Sequence, residues 1–182
     1  MKSIYMFLLV EFLFMVCSLA QDETPKELQV GDPAPDFMLP YATKDSVASE
    51  PISLAGLVGK RNIVLAFYPA DWSPGCTKEV CAIRDNWDTL AQLNAEILAI
   101  SGDYEWSHHE WAKYHNLPFK LVSDHQHKVA RMYNSYNESY GWNKRTVVVI
   151  NKKGEIAYID PKYSVRDMNS LNKLQEALKK LQ

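Results

Sequence analysis

Cysteine is scarce in this chain, three in 182 residues, too few for a lattice of disulfides to stand in for a hydrophobic core. No run of Lys or Arg stands out, and the formal net charge is -2. That balance excludes the basic groove of a nucleic-acid binder and any strong attraction to an anionic membrane surface. Internal repeats, low-complexity tracts and signs of a second domain are also missing. With 47% hydrophobic and 23% charged residues, what remains is one globular domain able to bury a proper core.

The first twenty residues, MKSIYMFLLVEFLFMVCSLA, carry one Lys, an apolar stretch and Ser18-Leu19-Ala20 before Gln21. This reads as a secretory signal cleaved after Ala20, which gives a leader over 1–20, a domain over 21–182 and a periplasmic or secreted location. Two rival readings are an uncleaved anchor and lipidation at Cys17. A span needs about 20 clean apolar residues, and Glu11 interrupts this one; Val16 is bulkier than the small residue that usually precedes a lipidated cysteine. Cleavage removes Cys17 and leaves two thiols, Cys76 and Cys81. In an exported protein such a pair is first read as a structural disulfide.

Short β-rich runs alternate with helical spacing along the rest of the chain, an α/β pattern. Strands are predicted at Asn62–Tyr68, Ala95–Ser101, Phe119–Ser123, Arg145–Ile150 and Glu155–Ile159, the last two joined by an NKKG hairpin ending in Gly154. Helices are predicted at Thr77–Leu93, with Val80, Ile83, Trp87 and Leu90 on one stripe, and at Glu105–His115 and Lys128–Tyr133. Leu171, Leu174, Leu178 and Leu181 line one face of a C-terminal helix that packs on the sheet. Gln21–Lys60, with Pro33, Pro35, Pro40 and Pro51, is an extended or hairpin-like lead-in.

The two thiols lie where a helix begins. Ser73 suits the N-cap, Pro74 the first helical position, and Cys76 falls in the first turn. A sulfur there sits at the positive end of the helix dipole, where backbone N–H groups favour the thiolate, the nucleophilic form. Cys81 follows five positions later. On an intact helix the two Cα atoms are about 8.6 Å apart on faces about 140° different, whereas a disulfide needs them within about 7 Å. The spacing therefore argues against a structural staple. It fits a redox pair in which one thiol is oxidised while folded and local unwinding brings in the second. It also differs from the C-x-x-C of ordinary disulfide-exchange enzymes.

PADWSPGC, Pro69 to Cys76, resembles the Pro-x-x-x-Thr/Ser-x-x-Cys signature of peroxiredoxins. PGCTKEVCAIRD resembles the bacterioferritin-comigratory, or Q-type, subgroup, whose resolving cysteine comes five residues later. VGDPAPDFMLP (Val30 to Pro40) and KRTVVVINKKGEI (Lys144 to Ile156) extend the likeness over nearly the whole chain after the leader. The resemblance implies a thioredoxin-like fold, a central mixed sheet flanked by helices with an N-terminal extension, and a thiol-dependent peroxidase with no cofactor and no metal. It makes Cys76 the peroxidatic cysteine, oxidised to a sulfenic acid, and Cys81 the resolving one. Pro69 would shield the sulfur; the Ser73 hydroxyl and the N–H groups of Gly75 and Cys76 would bind the peroxide. Arg145 would lie over the sulfur, held by Glu79. The implied partners are a peroxide and a thioredoxin-like reductant, with the protein a monomer or weak dimer, free of nucleic acid and, after cleavage, of membrane. Ser73 keeps the hydroxyl of the more usual Thr and loses its methyl.

Each residue alone has a plainer reading: Arg145 as an edge charge, Ser73 and Pro74 as a helix entrance, Glu79 as a favourable first-turn acid. His108, His109 and His115 read as surface histidines, because neighbours on a helix diverge by about 100° and no carboxylates complete a metal set. Trp106, Trp111, Trp142 and the tyrosines from Tyr133 to Tyr140 read as packing or a partner-facing surface. The alternative function is a copper-binding chaperone or thiol-disulfide oxidoreductase of the same fold. The C-x-x-x-C spacing of such chaperones is absent here.

Overall fold

Asn62–Phe67 (β4) is buried at every position, as a strand covered on both faces must be, and the fold is arranged around it. The computed structural model describes residues 27–164 and 166–182; the expected leader and its cleavage point lie outside them. The lead-in forms short strands Met38–Leu39 (β1), Tyr41–Ala42 (β2) and Ile52–Ser53 (β3), with β1 and β3 paired antiparallel as a small ribbon. The remaining strands are Ala95–Ser101 (β5), Lys120–Ser123 (β6), Tyr136–Asn137 (β7), Trp142–Asn143 (β8), Thr146–Ile150 (β9) and Ile156–Asp160 (β10). Six of the ten make one sheet in the order β10-β9-β4-β5-β6-β2. It is mixed: β4, β5 and β6 run parallel, and β9, β10 and β2 pair antiparallel to their neighbours.

Alternation along the strands divides the core in two. Val64, Ala66, Ile97, Ala99, Val147 and Val149 face one side. There they meet Pro74–Asp85 (α1), Trp87–Gln92 (α2), Glu105–His115 (α3) and Met168–Lys179 (α5) through Val80, Ile83, Leu90, Trp111, Leu171, Leu174 and Leu178. Ile63, Leu65, Phe67, Leu98, Ile100 and Val148 face the other side, covered by Lys128–Met132 (α4) and by Phe37, Ile52 and Leu54 of the lead-in. This is the mixed, two-sided thioredoxin-like layering expected from the sequence. Among the described residues no helix is long and apolar enough to cross a membrane.

The helix expected over 77–93 is two helices. It starts earlier, at Pro74, and breaks at Asn86, where φ is -106° and ψ 11°. The Asn86 amide donates to the Ala82 carbonyl at 2.9 Å, the local competition with backbone bonding that makes Asn a poor mid-helix residue. The apolar stripe survives because α2 resumes at once, with Leu90 fully buried and Trp87 packed against the core. The 151–154 hairpin is as expected: Gly154 adopts φ +82°, and the Asn151 side chain accepts from the N–H groups of Lys153 and Glu155.

Leu178 on α5 is completely buried against the sheet. Leu178→Ala should lower unfolding stability by about 2–5 kcal/mol, read from urea denaturation of the reduced protein.

Candidate active site

Two elements meet to form the site: the first turn of α1 and the residue just before β9. Ser73 caps α1 in extended conformation and its Oγ accepts from the Cys76 N–H at 3.3 Å. The same hydroxyl donates to the Ala70 carbonyl at 3.3 Å. In this reduced state, therefore, the Ser73 hydroxyl and the Cys76 N–H, both expected to face a peroxide, are engaged with each other in the helix cap. Trp72, just ahead of the cap, sits at φ 59°, a backbone conformation that bulky residues seldom adopt. Pro69 is half-buried in the turn after β4.

Cys76 is fully buried and carries a free thiol. It belongs to the apolar cluster on that side of the sheet, yet one charged group reaches it: Arg145 Nη2 donates to Sγ at 3.3 Å. The same guanidinium forms a short ion pair through Nη1 with Glu79, whose side chain is 1% exposed. One arginine thus spans sulfur and carboxylate. Gly75 makes room for it: a Cβ there would stand 2.8 Å from Arg145 Nη2, a distance no side chain tolerates without displacing the guanidinium. Burial pushes the Glu79 carboxyl up to about 7, against the opposing pull of Arg145. Burial works against the charge of Arg145 too, but Glu79 and Cys76 together hold it above its ordinary value. Glu79 Oε1 is buried without a hydrogen-bond partner, so the carboxylate leans on Arg145 alone.

Tyr163 is a residue the sequence did not single out. It is buried, its N–H donates to the Arg145 carbonyl at 3.1 Å, and burial together with the nearby Glu79 charge raises its phenol. Arg145 and Tyr163 also line a cleft of about 660 Å³ with Asn134, Lys144 and Lys162.

The structure brings Cys76, Glu79, Arg145, Gly75 and Ser73 together and leaves Cys81 elsewhere. Helix α1 is continuous from Pro74 to Asp85, so the two thiols stand on different faces, Cys81 half-buried beside α3 and free. Among the described residues no group of three or more His, Cys, Asp or Glu side chains is placed to hold a metal ion.

His108 corrects the expectation of a surface histidine. It is fully buried, with Nδ1 2.9 Å from Asp71 Oδ2. Asp71 also accepts from Tyr68 Oη at 2.7 Å and Ser107 Oγ at 2.8 Å, and its N–H donates to Asp103 Oδ2 at 2.9 Å. This network ties the turn before α1 to α3 and β5. The available signal was position: His108, Trp111 and Ala112 share one helical face, and that face is the buried one. Trp111 and Tyr133 are core, whereas Trp106, Tyr140 and Trp142 are exposed.

A family model described as the AhpC/TSA family matches residues 30–159. Peroxiredoxin Bcp of Bacillus subtilis is 34% identical over 146 residues, 77% of this chain and 89% of that one. The chloroplastic peroxiredoxin Q of Triticum aestivum is 42% identical over 109 residues, 59% of this chain and 50% of that longer protein. Among solved structures, peroxidoxin BcpB of Mycobacterium tuberculosis superposes with a TM-score of 0.73 at 27% identity, covering 86% of this chain and 99% of that one.

The raised Glu79 carboxyl fixes the sign of a pH effect. The ordinary value is 4.5 and the folded value about 7, so between them the native state holds a proton that the unfolded chain gives up, and stability falls as pH rises through that window. Glu79→Gln should remove this contribution. Urea midpoints of the reduced proteins should shift in favour of the variant, relative to the parent, on going from about pH 5 to about pH 8.

Proposed function

The chain belongs to the AhpC/TSA family and is a peroxiredoxin, a thiol peroxidase, and from that premise we propose that it reduces hydrogen peroxide or organic hydroperoxides with Cys76 as the attacking sulfur. The single observation that carries the assignment is the Arg145 guanidinium 3.3 Å from Cys76 Sγ and paired to buried Glu79. The ionised sulfur attacks one peroxide oxygen and the O–O bond breaks. Its electrons leave on the second oxygen as water or alcohol once protonated, and Cys76 becomes a sulfenic acid. Arg145 is placed to face the charge that develops on the leaving oxygen, which is where a fixed cation accelerates a reaction most. For the peroxide to use the Ser73 hydroxyl and the Cys76 N–H it displaces their mutual bond, which at 3.3 Å is long and so costs little to give up.

Cys81 then resolves the sulfenic acid. Its thiol sulfur displaces hydroxide from Cys76, water is formed, and a Cys76–Cys81 disulfide closes. Since the intact helix holds the two Cα atoms about 8.6 Å apart, α1 must fray. The extent of fraying is bounded by packing: Val80 and Ile83 are buried, and releasing each would cost about 1.5–3 kcal/mol. Unwinding confined to the turn from Ser73 to Glu79 spares both. The disulfide is reduced in turn by a thioredoxin-like dithiol, and the protein acts as a monomer or weak dimer. The leader over 1–20, with Ser18-Leu19-Ala20 before Gln21, supports action outside the cytoplasm by the domain over 21–182.

Mixing reduced protein with one equivalent of peroxide tests the roles. Both thiols of the parent should be lost together, with mass spectrometry locating a Cys76–Cys81 bridge. Cys76→Ser should abolish turnover, and Cys81→Ser should complete one round and stop at sulfenic acid. Turnover by Cys76→Ser equal to the parent's would refute the assignment.

A further inference from the structure

Cys81 has a neighbour that the peroxidase reading leaves unused. His115, the last residue of α3, places Nδ1 3.9 Å from Cys81 Sγ, within the range of a long hydrogen bond to sulfur. Its position is fixed from two sides. Arg84 on α1 donates through Nη1 to the His115 carbonyl at 2.8 Å, and Lys44 Nζ donates to Asn116 Oδ1 at 2.8 Å, holding the left-handed residue that ends α3. The rings of Trp111, Tyr114 and Trp72 lie with centroids 6.0, 4.9 and 6.4 Å from the imidazole and wall it on sides that carry no charge. We propose that His115 is the proton acceptor for Cys81 in the resolving step, a catalytic residue for the second half of the reaction.

The inference rests on Cys81 being the resolving thiol. A thiol is a poor nucleophile until it loses its proton, and Cys81 needs help to do so: burial pushes it up, Arg84 draws it down and Asp85 pushes it up again. The imidazole can take the complementary part, since burial and the Arg84 charge both lower it and so favour its neutral, proton-accepting form. The charged and titratable groups facing this pair are Arg84 and Asp85, themselves ion-paired at 2.8 Å on α1, and Tyr114 on α3. In the tautomer with hydrogen on Nε2, Nδ1 accepts the Cys81 proton. The sulfur attacks Cys76 Sγ, the S–O bond breaks as the S–S bond forms, and the departing hydroxide takes the proton back from the imidazolium. One sulfenic acid and one thiol give one disulfide and one water, with His115 returned unchanged. The clamp on His115 also sets which end of α1 moves: Cys81 and Arg84 stay docked against α3 while the first turn, carrying Cys76, swings toward them.

The test is stopped-flow tryptophan fluorescence with acid-quench mass spectrometry after one equivalent of hydrogen peroxide, which follows sulfenic acid formation and disulfide closure as separate phases. In His115→Ala the closing phase should slow about a hundredfold at pH 7, the lower end of what general bases contribute. Its pH dependence should change as well. The parent's closing rate should fall on acidification with a midpoint below the ordinary histidine value of about 6.5, whereas the variant's should climb steadily with pH and rise when imidazole is added. A closing rate and pH profile equal to the parent's would overturn the proposal, as would a slower rate with an unchanged profile and no response to imidazole. If His115→Ala lost the first phase too it would be misfolded, and His115→Gln, of similar bulk and without a base, decides by the same readouts. A parent that closes no Cys76–Cys81 bridge at all would instead refute the resolving role of Cys81.

Discussion

The site depends on one guanidinium placed between a sulfur and a buried carboxylate. Arg145 touches Cys76 Sγ with one nitrogen and Glu79 with the other, and most of the surrounding structure serves to bring those three groups together. Strand β9, paired with β4 on one side and β10 on the other, delivers Arg145 at its start, with Tyr163 bonded to the backbone there. The cap at Ser73 starts α1 so that Cys76 and Glu79, three positions apart, present to the same neighbour. Gly75 leaves the space the guanidinium occupies. A buried carboxylate is costly unless paired, and here its partner is also the group that faces the sulfur proposed to react, so in that reading holding the arginine and arming the cysteine are one arrangement.

A second consequence is a division of labour around α1. One face of its first turn carries Cys76 toward β9, while Cys81, five positions on, faces α3 and His115. The distance that keeps the thiols from joining in the folded helix also keeps the reduced site assembled. Val80 and Ile83 hold the rest of α1, so unwinding falls to the end that carries Cys76 and Glu79, where it gives up their buried contacts with Arg145. In the proposed mechanism, oxidation and resolution are thereby separated by a local unwinding whose limits are set by packing.

Much of this was legible in the sequence. The β4, β5 and β9 runs are mostly apolar and continuous, and α3 and the leucine stripe of α5 follow helical spacing closely, so those strands and α3 lie within a residue or so of their expected bounds. Cys76, Ser73, Gly75, Glu79 and Arg145 were named together through the motif, and the fold brings them together. What remained hidden was hidden for physical reasons. Asn86 breaks the second half of the predicted helix through a side-chain bond that periodicity cannot register, since the apolar stripe continues across the break. His108 looked like a surface residue because polarity alone does not reveal a core hydrogen-bond network, and its partner Asp71 lies 37 residues away. Tyr163 acts through its backbone and its closeness to Glu79, neither of which leaves a trace in composition or spacing.

The central claim is that the bridged arginine, more than the helix terminus alone, makes Cys76 a peroxide-reactive sulfur. The most direct measurement is the second-order rate constant for sulfenic acid formation at Cys76, taken under single-turnover conditions for the parent and Arg145→Lys. Lysine keeps the charge but cannot span sulfur and carboxylate with two nitrogens. The account predicts a fall of about a hundredfold or more with unchanged far-ultraviolet circular dichroism; a rate within about threefold of the parent's would contradict it.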